Sequence, residues 1–405
     1  MGWKFFLPDR YIAPVEMKIH EIAGSLVDRV PGEGGLIGGK AGVACFYAAY
    51  DHWNGTSEYE GLVYRWIERS LNPPSGHFPD LRFSSGLAGI AWIVHHLSET
   101  GLLKCDVDGI FEHLDDCLYD FMISEIKAGH YDYLHGALGI ALYFLRQPHN
   151  EKYRQYLAEL VSELEKIADN DKENTIKWVS PANESSRKIV YNLGLSHGMS
   201  SIVLVLAKIY EAGIANEKCS SLIVRSLEYI LKQKLPTAEY NSYYPSLALE
   251  SMDSFSSSRL AWCYGDLGPG LAFLNGGKVL DLSSYSLHGQ DVLLATCRRK
   301  DQHENKVFDA GICHGSSGLA LMYNILYQQT KLTSFRDAAL YWLDVTLNKA
   351  FHGDGIAGYK SWYHPEYGGW KCSAGLLDGA AGIGLSLLSF VQEDEPTWSR
   401  SLLLS

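Results

Sequence analysis

Seven times along this chain of 405 residues, a small-residue turn of the form G-x-x-G is followed at once by a short apolar run. The copies are Gly39-Lys-Ala-Gly42, Gly86-Leu-Ala-Gly89, Gly136-Ala-Leu-Gly139, Gly198-Met-Ser-Ser201, Gly265-Asp-Leu-Gly268, Gly315-Ser-Ser-Gly318 and Gly379-Ala-Ala-Gly382. Only the fourth lacks its second glycine. Their first glycines lie 47, 50, 62, 67, 50 and 64 residues apart. Recurrence at such an interval marks a repeat architecture and constrains the fold more than any single motif.

The runs that follow the turns, such as Ile140-Ala-Leu-Tyr-Phe-Leu and Ile383-Gly-Leu-Ser-Leu-Leu, are apolar on nearly every side. A helix of that kind has to be buried all round. The intervening segments, such as Leu157-Ala-Glu-Leu-Val-Ser-Glu-Leu-Glu-Lys-Ile, are charged with apolar residues at helical spacing, so one face meets water. About 50 residues accommodate two helices of roughly 12 residues and their loops. Seven such pairs predict an all-α chain, an α/α toroid of seven inner and seven outer helices. An open stack of the same hairpins would leave part of each apolar helix in water, so closure is expected. The turn glycines would let neighbouring helix starts approach closely and would permit a positive φ. Free N–H groups and the helix dipole at those starts favour anions, which makes that end the expected working face.

Residues 1–34 read as an N-terminal extension and 35–405 as a single toroid domain. The two longest intervals suggest insertions near 147–192, with its charged run after Asp169, and near 234–258, rich in Tyr and Ser. The 46% hydrophobic content supplies a large core and excludes wholesale disorder. With 35 Lys and Arg against 47 Asp and Glu, the net charge of −12 makes nucleic acid a poor partner. The apolar start is broken by Pro8 and Asp9, too early for a signal-peptide core, and Phe6 stands where a myristoylation motif needs Ser or Thr. No apolar stretch reaches the roughly 20 residues of an integral membrane segment. The expected location is cytoplasmic, with peripheral membrane association through a biosynthetic complex as a variant of it. Eight scattered cysteines without a C-x-x-C pair then read as reduced thiols.

The positions just before each first glycine are Gly38, Ser85, His135, His197, Tyr264, His314 and Asp378. With 15 histidines in the chain, seven positions should hold about a quarter of one, and three are found. One position further back, Cys263 and Cys313 share a register in adjacent repeats. Two thiolates and an imidazole match a zinc site with three protein ligands and an open fourth position, so Cys263, Cys313 and His314 are the candidate metal ligands. The bland alternative is two buried thiols and a capping histidine. His197, in the same register one repeat earlier, suits a general acid or base. Asp132 could orient it or only cap a helix. Arg259 could bind a carboxylate or a developing enolate, or form a surface ion pair. His135 and Asp378 have no assigned role, Cys45, Cys105, Cys117, Cys219, Cys297 and Cys372 read as structural, and Trp362, Tyr363, Tyr367 and Trp370 could rim a groove.

Trp262-Cys-Tyr-Gly265, Cys313-His-Gly315 and Ser196-His-Gly198, together with the seven turns, resemble the lanthionine synthetase C-like (LanC) cyclases over about residues 35–390. The resemblance implies an α/α toroid with a central Zn2+ held by Cys263, Cys313 and His314. It also implies acid/base duty at His197 and Asp132, and a family arginine at Arg259. The departures are Ser201 in the fourth turn, and His135 where nisin-type members carry an acidic residue. The implied reaction is Michael addition of a peptide cysteine thiol to dehydroalanine or dehydrobutyrine, closing a (methyl)lanthionine ring. The implied partners are a dehydrated precursor peptide of leader and core, a separate dehydratase, since no dehydratase-sized region precedes the repeats, and an export transporter. Two alternatives stand beside this: addition of glutathione to dehydroamino acids, and a peptide-binding scaffold with structural zinc. Prenyltransferase-like toroids favour an Asp-Cys-His set, and glycosidases need paired carboxylates that this face lacks.

Overall fold

The computed structural model describes residues 3–29, 32–72, 80–105, 107, 109–171, 173–180, 189–252, 254 and 256–404. Among these residues the chain forms fourteen α-helices and two short β-hairpins, and no helix is long and apolar enough to cross a membrane. It divides into two compact units, residues 1–111 with 306–405, and residues 112–305.

The first unit holds repeats one, two, six and seven. Its inner helices are α2 (Lys40–Asn54), α4 (Leu87–Glu99), α12 (Ser316–Thr330) and α14 (Ala380–Val391). In α14 every residue from Ala380 to Phe390 is buried, and the hydroxyls of its two serines, Ser386 and Ser389, are taken up by the Ser317 and Ser386 carbonyls. α3 (Glu60–Leu71) packs on α2, and α13 (Thr333–Asn348) on α12, each with one apolar face inward. Residues 1–34, set apart in the sequence as an extension, carry α1 (Asp9–Leu26), which lays Val15, Ile19, Ile22, Ala23 and Leu26 inward and packs on α14. The seventh inner helix thus finds its outer partner at the other end of the sequence. A β-hairpin of β3 (Ser361–Trp362) and β4 (Trp370–Lys371) precedes α14.

The second unit holds repeats three to five. Its inner helices are α6 (Ala137–Phe144), buried at every residue, α8 (Met199–Glu211) and α10 (Leu267–Val279). Around them run α5 (Glu112–Lys127), α7 (Glu151–Lys166), α9 (Asn216–Lys232) and α11 (Ser283–Thr296). The first expected insertion contains α7 and the hairpin of β1 (Asp169–Asn170) and β2 (Ile176–Lys177), with Trp178 buried against α7 through its bond to the Leu164 carbonyl at 2.9 Å. The second is tied down by Asp266. Its buried carboxylate accepts the Tyr243 and Tyr244 amides at 2.8–3.0 Å and pairs with Arg299 at 3.1 Å. Residues 172, 181–188, 253 and 255 of these insertions lie outside the described residues.

Neighbouring turns are stitched by one recurring bond pattern. In the first unit the Ile37 N–H bonds the Ser84 carbonyl, Leu376 and Leu377 donate to Ile37, and Ile312 and Cys313 donate to Leu377, all at 2.8–3.0 Å. In the second, Leu195 and Ser196 donate to Cys263 at 3.0 and 3.3 Å. Every acceptor sits two residues before a first glycine, the register in which Cys263 and Cys313 were found.

The glycines are explained by close approach and, with one exception, not by positive φ. Six first glycines have φ between −104° and −135°, ordinary extended backbone. Only Gly265, at +97°, occupies the left-handed region. What forbids a side chain is the neighbouring backbone: a Cβ on Gly382 would lie 1.7 Å from the Leu376 oxygen, and one on Gly318 1.9 Å from that of Ile312. The expected free N–H groups at the helix starts are also partly used. The Leu87, Met199 and Ser316 amides bond the carbonyls of Asp80, Asn192 and Asp309, each six residues before its first glycine.

Candidate functional site

In the second unit, the turns ahead of α6, α8 and α10 carry Asp132, His197 and Cys263. Asp132 is buried, and its Oδ1 accepts the Leu134 and His135 amides at 2.8 Å each. This local turn leaves Oδ2 aimed outward, where it meets His197 Nδ1 at 2.6 Å. A carboxylate oxygen can only accept here, so Nδ1 carries a proton and Nε2 is the nitrogen left for exchange. Burial by itself would lower the His197 pKa. The Asp132 hydrogen bond and charge, with the charge of Cys263, outweigh it, and the net shift is upward.

His135, unpaired in the sequence reading, lays its exposed ring over His197, with centroids 5.6 Å apart and planes at 19°. Asp132, His135 and His197 each offer an atom within 4.8 Å of the others. Tyr264 flanks His197 from the next turn at 6.3 Å between ring centroids. Cys263 is buried and Arg259 half-buried, with its Nε shielded from solvent. The Arg259 carbonyl lies 1.9 Å from where a Cβ on Gly265 would be, so that turn closes only around a glycine.

In the first unit, Cys313 and His314 sit in the turn ahead of α12. His314 Nε2 is 3.3 Å from the Trp362 carbonyl on β3 and 3.5 Å from Asp309 Oδ2. Asp309 is buried. Its Oδ1 accepts the Gly311 amide at 3.0 Å and its Oδ2 the Trp362 amide at 2.7 Å. Asp378, without a role in the sequence reading, takes the Tyr363 hydroxyl at 3.4 Å, and its carbonyl accepts from the Ser361 hydroxyl. Trp362 and Trp370 pack edge to face across the hairpin, centroids 5.0 Å apart. Tyr367, at 69% exposed, stands clear at its tip.

Sequence reasoning missed Asp309. The signal was available six residues before the first glycines, where Asp80, Asn192, Arg259 and Asp309 share one register. Arg259 is singled out in the sequence for its own charge, and the register it shares with Asp309 is not.

The lanthionine synthetase C-like protein family model matches residues 30–403. The Nisin biosynthesis protein NisC of Lactococcus lactis subsp. lactis is 24% identical over 339 residues, which cover 79% of this chain and 76% of that protein. Among solved structures, a nisin cyclase superposes with a TM-score of 0.74 at 22% identity over 98% of both chains. The fold is all-α, an α/α toroid. With the family model spanning nearly its whole length, the chain belongs to the lanthionine synthetase C-like family.

Proposed function

We propose that this protein is a zinc-dependent lanthipeptide cyclase. It adds a cysteine thiol of a peptide across the Cα=Cβ bond of a dehydroalanine or dehydrobutyrine in the same peptide. One S–Cβ bond forms, the double bond is lost, and the thiol proton is balanced by a proton delivered to Cα. The observation that carries the reading is the Asp132–His197 hydrogen bond, on a chain of this family. Similarity to a nisin biosynthesis protein and a nisin cyclase supports the reaction class.

Cys263, Cys313 and His314 would hold the metal in this reading. The donor chemistry fits: two thiols and an imidazole are residue types suited to a metal ion, and three protein ligands would leave one position for substrate. Bound zinc supplies a Lewis acid that brings a thiol down from its ordinary pKa of about 8.5, so that it reacts as thiolate at neutral pH.

The chain's own residues do the rest. Attack at Cβ places negative charge on Cα and the adjacent amide oxygen. His197, its Nδ1 fixed on Asp132, presents Nε2 to move the proton. Asp132 holds that ring in one tautomer and stabilises its protonated form. Arg259 offers a guanidinium to the enolate oxygen. The substrate arrives already dehydrated, which assigns that step to a separate dehydratase.

The test is incubation of zinc-loaded protein with a dehydrated lanthipeptide precursor, counting free thiols by alkylation and mass spectrometry. Intramolecular addition consumes thiols without changing peptide mass. His197→Ala should retain zinc and lose closure. The reading is rejected if thiols persist with the wild type, or if adducts form only with added glutathione.

A further inference from the structure

Resting on the proposed metal ligation, we infer that Asp309, with the backbone of Trp362, is a positioning residue that selects Nδ1 of His314 as the ligating nitrogen. Two acceptors face His314 Nε2: the Trp362 carbonyl at 3.3 Å and Asp309 Oδ2 at 3.5 Å. A peptide carbonyl has no proton to give, and neither has a carboxylate. Nε2 therefore carries the hydrogen, and in a neutral imidazole the lone pair is then on Nδ1. A metal ion takes the lone-pair nitrogen, so the assignment follows from these two acceptors.

The carboxylate does more at this position than close a turn. Asp80 and Asn192 share its register and likewise use one oxygen on the amide two residues ahead, at 3.0 Å to Arg82 and 2.8 Å to Gly194. That half of the interaction is a generic feature of the repeat. The second polar atom differs: Asp80 turns it to the Ser85 hydroxyl, and Asn192 turns its amide nitrogen toward the Tyr264 hydroxyl at 3.4 Å. At Asp309 it serves the Trp362 amide at 2.7 Å and faces His314. Gly315 allows this, because a Cβ there would lie 2.3 Å from Asp309 Oδ1. Trp362 both donates to Asp309 and accepts from His314, so the β3–β4 hairpin is part of the holder.

Asp309→Asn is the discriminating substitution. With its one oxygen kept on the Gly311 amide, its NH2 would face two other donors, the Trp362 and His314 N–H groups. The imidazole must then flip tautomer or turn away. Zinc affinity, measured by chelator competition, should fall roughly 10- to 100-fold, and the absorption bands of the cobalt-substituted protein should shift. The tautomer is read separately, from long-range 1H–15N spectra of zinc-free wild type with labelled histidine, where His314 should appear as Nε2–H. Its signals are assigned by their loss in His314→Gln. An Nδ1–H tautomer, or zinc affinity of Asp309→Asn within about twofold of wild type, overturns the inference. If Asp309→Asn does not fold, the wild-type spectrum still decides. Wild type that binds no zinc while showing Nε2–H defeats the metal reading, and the role of Asp309 toward a metal with it, by a result distinguishable from the other two.

Discussion

His96 provides a stability prediction that can be worked through from the structure. It lies on α4 at 7% exposure, stacked on Trp92 with ring centroids 5.1 Å apart and planes at 7°, and its Nε2 is 3.4 Å from the Thr397 hydroxyl. Burial, and secondarily the charge of Arg400, lower its pKa from 6.5 to about 4. The folded state therefore resists protonation that the unfolded chain accepts. The sign follows: the contribution is fully present above pH 6.5 and is lost as pH falls toward 4. At 1.36 kcal/mol per pH unit, the two units between 6.5 and 4.5 correspond to about 2.5 kcal/mol. The perturbation is His96→Phe, which keeps the stack on Trp92 and removes the titration, with His96→Gln as a second variant. The assay is urea unfolding followed by circular dichroism at pH 7.5, 6.5, 5.5 and 4.5. Other groups titrate in the same range, so the readout is the difference in pH slope between wild type and variant. That difference should accumulate to about 2.5 kcal/mol at pH 4.5. Parallel slopes for wild type and both variants would refute the burial argument.

The glycines make a paired prediction. Gly382→Ala sets a Cβ against the Leu376 oxygen and should cost about 2–3 kcal/mol, whereas Gly24→Ala, inside α1 with nothing within 4 Å, should raise stability by up to about 1 kcal/mol. Both are read from unfolding midpoints. Arg299→Ala strands the Asp266 carboxylate in a buried site and should cost about 3–5 kcal/mol, and Asp266→Asn in the same background should recover part of it. In the thiol assay, Asp132→Asn should slow ring closure by roughly 10²- to 10⁴-fold at unchanged zinc content. The amide presents a donor to His197 Nδ1 and reverses the tautomer, so a rate within threefold of wild type would exclude a role for the dyad.

Much of this protein was written locally. The inner helices were legible because a run such as that of α6 is apolar on all sides, and burial is the only environment that tolerates it. The register of His197, Cys263, Cys313 and His314 was legible because each repeat places it at a fixed distance from a glycine that backbone contact makes irreplaceable. Tertiary structure decided which groups meet. Asp132 reaches His197 across 65 residues, and Asp309 reaches Trp362 across 53, through loops whose course no local pattern encodes. The pairing of α1 with α14 escaped for the same reason, since an amphipathic helix advertises its apolar face and not the partner that covers it. The glycines show the division in one residue type: their spacing was visible in the sequence, but the reason for them, a neighbouring carbonyl rather than a positive φ, exists only once the turns are packed side by side.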